Sequence, residues 1–114
     1  MKESDLEKVL DNLNRNISAY YKLDLDDLNG VNECMKNIGV INHYLTKERV
    51  DYWKNWNNHI FEKVNEGMSK AAAENSADQA YPELYSIRRI QDSTQLLLKG
   101  IISHFSRLKQ EQND

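Results

Sequence analysis

Three histidines, one cysteine, a cluster of aromatics and a pair of arginines are the side chains that could do chemistry in this chain. His43, His59 and His104 stand too far apart to share one helix face as metal ligands, which needs a spacing of three or four. Carboxylate metal sites in helical bundles use a Glu three residues before a His, and no acidic residue stands there for any of the three. No metal site is expected, and each histidine reads as a satisfied or half-exposed side chain. Cys34 lies beside Met35 on the flank of an apolar stripe and reads as a buried structural thiol rather than a nucleophile. The chain has no nucleophile elbow, phosphate-binding loop or glycine-rich cradle. Glu48 and Asp51 lie beside Lys47 and Arg49, as helix-surface ion pairs do. These readings give a chain that is not an enzyme and takes no cofactor.

Binding chemistry is better represented. Tyr52 and Trp56 share a helix face and Trp53 turns partly away from them, with Lys54, Asn55, Asn57 and Asn58 around them. Such a cluster is either an aromatic core layer or a hot spot for a protein partner, where Trp and Tyr concentrate binding energy. A stacking platform for single-stranded nucleic acid is a third reading, and it needs nearby basic groups, of which the same helix offers Lys47, Arg49, Lys54 and Lys63. Arg88 and Arg89 follow Tyr85. They can pair with carboxylates of a neighbouring helix, or recognise an acidic partner or phosphate.

These residues sit on helices. Leu6, Val9, Leu10, Leu13, Ile17, Tyr20 and Tyr21 recur in steps of three and four, and Ser4 with Glu7 has the form of a capping box. That helix should end near Lys22. Asp24 then offers a cap, with Asp26 and Asp27 in a first turn where the dipole favours anions. The stripe Leu25, Leu28, Val31, Met35, Ile38, Ile41, Leu45 continues through Tyr52, Trp56, Ile60 and Val64. It predicts one long helix over about 25–66, with Gly39 and Thr46 as places where it could break. Residues 67–81 read as a connection with helical leanings. Gly67 ends the long helix there, Ser69 can cap a short run, and Ala71, Ala72, Ala73, Ala77 and Ala80 either admit a close backbone or simply favour helix. Pro82 fits the first position of a last helix. Leu84, Ile87, Ile90 or Gln91, Thr94, Leu97 or Leu98, Ile101, Phe105 and Leu108 carry that helix to about Lys109 in near-heptad, coiled-coil spacing, before a tail that frays.

Composition agrees with this pattern. Four glycines and one proline in 114 residues are too few for the turns of an all-β fold. Thirteen asparagines make poor helix formers, so packing must hold the helices together. The expected fold is therefore all-α: a single helical domain over 1–114, in which an elongated antiparallel hairpin or bundle of two long helices carries a shorter N-terminal helix. Such an arrangement leaves apolar surface uncovered, which points to a homo-oligomer. The net charge is −3, and residues 1–30, 31–81 and 82–114 carry −3, −1 and +1, so no segment is an electrostatic footprint for nucleic acid. No apolar run approaches a membrane span or a signal-peptide core, and a cytoplasmic protein without a membrane partner is the expectation.

The stretch from Ser69 to Leu108 also resembles a known group. Its Ala-rich segment leads into Pro82-Glu83-Leu84-Tyr85 and Ile87-Arg88-Arg89, and then into a helix closing on Ile101-Ile102-Ser103-His104-Phe105. This cadence is similar to that of small helical accessory proteins of bacteriophages and prophages. The resemblance implies an adaptor for DNA-processing proteins or an inhibitor of a host defence system. It brings no catalytic residues. The residues alone give a non-enzymatic protein-interaction module, with Tyr52, Trp53, Trp56, Arg88 and Arg89 as the partner-binding candidates. The alternative is a nucleic-acid-binding helical oligomer that gathers Arg88, Arg89 and Lys99 into one patch.

Overall fold

The structure, a computed structural model, describes residues 3–113 and the side chains of 6–112. It is all-α. Among the described residues there are four helices: α1 (Glu3–Tyr21), α2 (Leu28–Asn65), α3 (Lys70–Ala80) and α4 (Glu83–Asn113). The chain forms two compact units. One comprises residues 1–44 and 92–114, and the other residues 45–91, so α2 and α4 each contribute to both.

In the first unit, Leu6 and Leu13 of α1, Val31, Cys34, Ile38 and Ile41 of α2, and Thr94, Ile101 and Leu108 of α4 are buried. Each set follows the three-and-four spacing of a single helix face. Tyr21, expected on the α1 stripe, is exposed because it is the last helical residue. The Ser4 capping box lies outside the described side chains. The α1–α2 connection differs from expectation. Asp27, not Asp24, caps α2: its Oδ1 accepts the backbone N–H of Gly30 at 2.9 Å. Asp24 instead forms a turn, its carbonyl accepting from Asp27 N at 3.1 Å. The helix therefore starts at Leu28, three residues later than expected, and Leu25 is left in the turn at 80% exposure. Three aspartates within four residues all satisfy the sequence rule for a cap, and the turn chooses among them.

α2 then runs unbroken past Gly39 and Thr46. It ends at Asn65, and Gly67 just beyond turns the chain with a φ of +100°, a conformation that glycine adopts at little cost.

In the second unit the helical leaning of residues 67–81 is a full helix, α3. Ser69 caps it, its hydroxyl accepting from Ala72 N at 3.2 Å. Ala73 and Ala77, one turn apart, are fully buried, while Ala71, Ala72 and Ala80 face solvent. Ala73 and Ala77 share the inward face, where small side chains admit a close neighbour. Ala71 and Ala72 lie round the helix from it, and Ala80 is exposed at the helix end. Leu45, Leu84 and Ile87 complete the apolar core. Glu48, expected in a surface ion pair, is buried, because it lies one turn from Leu45 on the inward face. At the position shared by Ile90 and Gln91 the buried residue is Gln91. Its Oε1 accepts from Arg49 Nη1 at 3.0 Å and its Nε2 donates to the Thr46 hydroxyl, so both ends of the amide are satisfied. α4 begins one residue after Pro82 and continues to Asn113, beyond the expected end at Lys109.

Candidate functional site

The second unit holds a cleft of about 400 Å³. α2 supplies Trp56. Asp78 comes from the last turn of α3, Tyr81 and Pro82 from the short link, and Leu84, Tyr85 and Arg88 from the first turns of α4. Local sequence explains this placement. Pro82 cannot extend α3 and so forces a new helix start. Tyr81 and Tyr85, four residues apart across that start, then flank Leu84, which points inward and is buried.

The Trp56 ring is held in place. Its Nε1–H donates to Asp78 Oδ1 at 2.8 Å. One turn further along α2, His59 Nε2 lies 2.8 Å from the Ser76 hydroxyl, and the His59 ring meets the Tyr81 ring edge-on at 6.0 Å. These polar and aromatic contacts fix α3 against α2 and set one wall of the cleft. The other wall carries positive charge. Arg88 is exposed and lines the cleft, and the Arg89 guanidinium lies 5.7 Å from the centre of the Tyr85 ring. At that distance the ring face attracts the cation. Tyr85 is 66% exposed despite its size. The result is an aromatic concavity with an occupied carboxylate on one side and exposed guanidinium groups on the other. It offers apolar contact, a carboxylate already engaged by the Trp56 indole, and the exposed guanidinium of Arg88.

Of the five candidate residues, the structure brings Trp56 and Arg88 into the cleft and places Arg89 against its rim. Tyr52 is half-buried on the inward side of α2, and Trp53 is turned to solvent. The sequence reading missed Asp78, Tyr81, Pro82, Leu84 and Tyr85 as cleft residues. Their only signal was the proline that forces a helix boundary between two tyrosines four apart.

In the first unit, His104 Nε2 lies 2.6 Å from the Leu25 carbonyl and its Nδ1 lies 2.9 Å from the Tyr20 hydroxyl. A carbonyl can only accept, so Nε2 carries the proton. In the neutral ring Nδ1 then accepts from Tyr20. Burial, followed by the nearby Tyr21 hydroxyl, raises the Tyr20 pKa above the ordinary tyrosine value. Burial also raises the Cys34 thiol pKa, and Glu33 and Asp27 push it the same way, which suits a structural thiol rather than a reactive one. His43 is exposed. Among the described residues, no group of three or more His, Cys, Asp or Glu could hold a metal ion, and no helix is long and apolar enough to cross a membrane. No family model, curated protein or solved structure matches the chain.

Proposed function

We propose that this chain is a non-enzymatic protein-interaction module whose cleft receives a partner segment carrying an apolar or aromatic side chain beside a carboxylate. The observation that carries this reading is the convergence of Trp56, Tyr81, Tyr85 and Arg88 on one concave surface. Trp, Tyr and Arg are the residue types that dominate binding hot spots, because each offers a large, stiff contact area and at least one polar handle. The orientation of Trp56 is fixed before any partner arrives, which lowers the ordering cost of binding. Arg88 and Arg89 supply the charge that selects an acidic neighbour. A cytoplasmic location and self-association belong to the same reading. The cadence of residues 69–108 adds to it a phage-type accessory role, as adaptor or as inhibitor of a host defence.

The test is affinity capture from nuclease-treated lysate of the native host with three baits: the unaltered chain, Tyr85→Ala and Arg88→Glu. Both substituted side chains are exposed, so circular dichroism should show unchanged helicity. The expected result is one stoichiometric protein retained by the unaltered chain and lost from both variants. A protein retained equally by all three puts the binding surface elsewhere. Capture of nucleic acid alone, released steeply by salt, replaces this reading with the nucleic-acid one.

A further inference from the structure

A second surface of the same unit runs along α2 beside the cleft, with Trp53 about 60° round the helix from the cleft residue Trp56. On α2, Val50, Trp53, Phe61 and Val64 are 45%, 44%, 69% and 42% exposed. At about 100° per residue, these four and Asn57 fall within an arc of roughly 80°. The arc is turned more than about 100° from the face that carries Glu48, Tyr52 and His59. Singly exposed apolar residues need no explanation, but four large ones on one strip of one helix do.

The order of the strip supplies one. Its spacing and side-chain classes are symmetric about Asn57, with valine opposite valine and one aromatic opposite another. Trp53 and Phe61 stand four residues to either side, and Val50 and Val64 stand seven to either side. We infer that this strip is the seam of an antiparallel homodimer, in which α2 of a second copy crosses it on a two-fold axis at Asn57. Such an axis sets every residue level with the one equally far on the other side of Asn57. Val50 then meets Val64 of the second copy, Trp53 meets its Phe61, and Asn57 meets Asn57.

A self-complementary surface of this kind is what an isologous contact requires. An unrelated partner imposes no mirror symmetry, and parallel pairing, which sets each residue on its own counterpart, imposes none either. The seam also fixes its own register. A slip of one turn, four residues either way, sets Trp53 against an asparagine, Asn57 or Asn65. The amide of Asn57 can both donate to and accept from its symmetry mate. A polar pair in an apolar helix seam specifies alignment at some cost in affinity. This dimer does not depend on the cleft being occupied, and Tyr85 and Arg88 take no part in it.

Light scattering on the eluting full-length chain, over a range of loading concentrations, should give twice the monomer mass of 13.4 kDa. Phe61→Glu should give the monomer mass with unchanged helicity, since Phe61 is mostly solvent-facing. Val50→Cys and Val64→Cys chains, mixed and oxidised, should couple to each other severalfold faster than either couples to itself, with the unaltered chain as the control for Cys34. A monomer at every concentration overturns the inference. So does a dimer that survives Phe61→Glu, or faster coupling of Val50→Cys to itself than to Val64→Cys. The Tyr85→Ala and Arg88→Glu variants should remain dimeric, so failure of the dimer and failure of partner binding are separable.

Discussion

The indole of Trp56 on α2 donates to the carboxylate of Asp78 on α3 across 2.8 Å, joining two helices that are twenty-two residues apart in sequence at this bond. α3 spans only eleven residues, and a helix that short has little stability of its own in water. It is held by the buried methyl groups of Ala73 and Ala77, by the Ser69 cap, and by the contacts from Trp56 and His59.

Removing the acceptor should therefore loosen α3. Asp78→Ala is expected to cost about 0.5–1.5 kcal/mol in urea unfolding, in the range of one net hydrogen bond. Backbone amides of α3 should exchange faster by a matching factor. Asp78→Asn keeps a carbonyl acceptor and should recover most of the loss. Equal loss in both variants would show that the charge at residue 78, rather than the bond, matters for holding the helix.

The α2 cap gives a contrast among glycines. A Cβ at Gly30 would lie 2.6 Å from Asp27 Oδ2 and 2.6 Å from Leu23 Cδ2. The side chain that must move is the one that accepts the Gly30 N–H. Gly30→Ala should therefore destabilise by about 1 kcal/mol, the usual value of an N-cap bond, despite alanine's better helix propensity. Gly39 and Gly100 lie inside helices with nothing within 4 Å of an added Cβ. Alanine at either should stabilise by about 0.5–1 kcal/mol. Thermal melts of the three variants test this directly, and Gly30→Ala melting above the unaltered chain would remove Asp27 as the cap.

This contrast also marks what the sequence could reveal. Periodicity exposed the helix faces, because a buried stripe needs a residue every three or four positions. Leu6, Leu13, Val31, Ile38, Ile41, Leu45, Leu84, Ile87, Ile101 and Leu108 were legible for that reason. The Ser69 cap and the Gly67 terminus were legible because each obeys a local rule. The choice among Asp24, Asp26 and Asp27 was not, since it depends on a turn in which Asp27 N bonds to the Asp24 carbonyl and Leu28 N to the Asp26 carbonyl. Trp56 and Arg88 could be named singly as binding residues, but no local signal joined residues on different helices into one cleft. The same limit left Ile90 and Gln91 as alternatives, because the partners that let Gln91 be buried, Thr46 and Arg49, lie on another helix.

Tyr20 yields a prediction about alkaline pH. Its hydroxyl donates to His104 Nδ1, and the proton on His104 Nε2 is committed to the Leu25 carbonyl. If Tyr20 ionised, two acceptors would face each other, in a setting where burial already disfavours the phenolate. Nearby Arg107 acts in the opposite sense, and the net direction is upward. The folded state thus holds the Tyr20 proton more tightly than the unfolded chain does. The stability this contributes is fully present below the unfolded tyrosine pKa and is lost as pH rises through the higher folded value. Denaturant midpoints should fall over that alkaline window, and tyrosinate absorbance should show one late-titrating group. Tyr20→Phe should cost about 1 kcal/mol at neutral pH, the value of the lost bond, and should abolish the late phase. A Tyr20→Phe chain that keeps the late phase would assign it to another of the six tyrosines and leave the bond to His104 without an alkaline consequence.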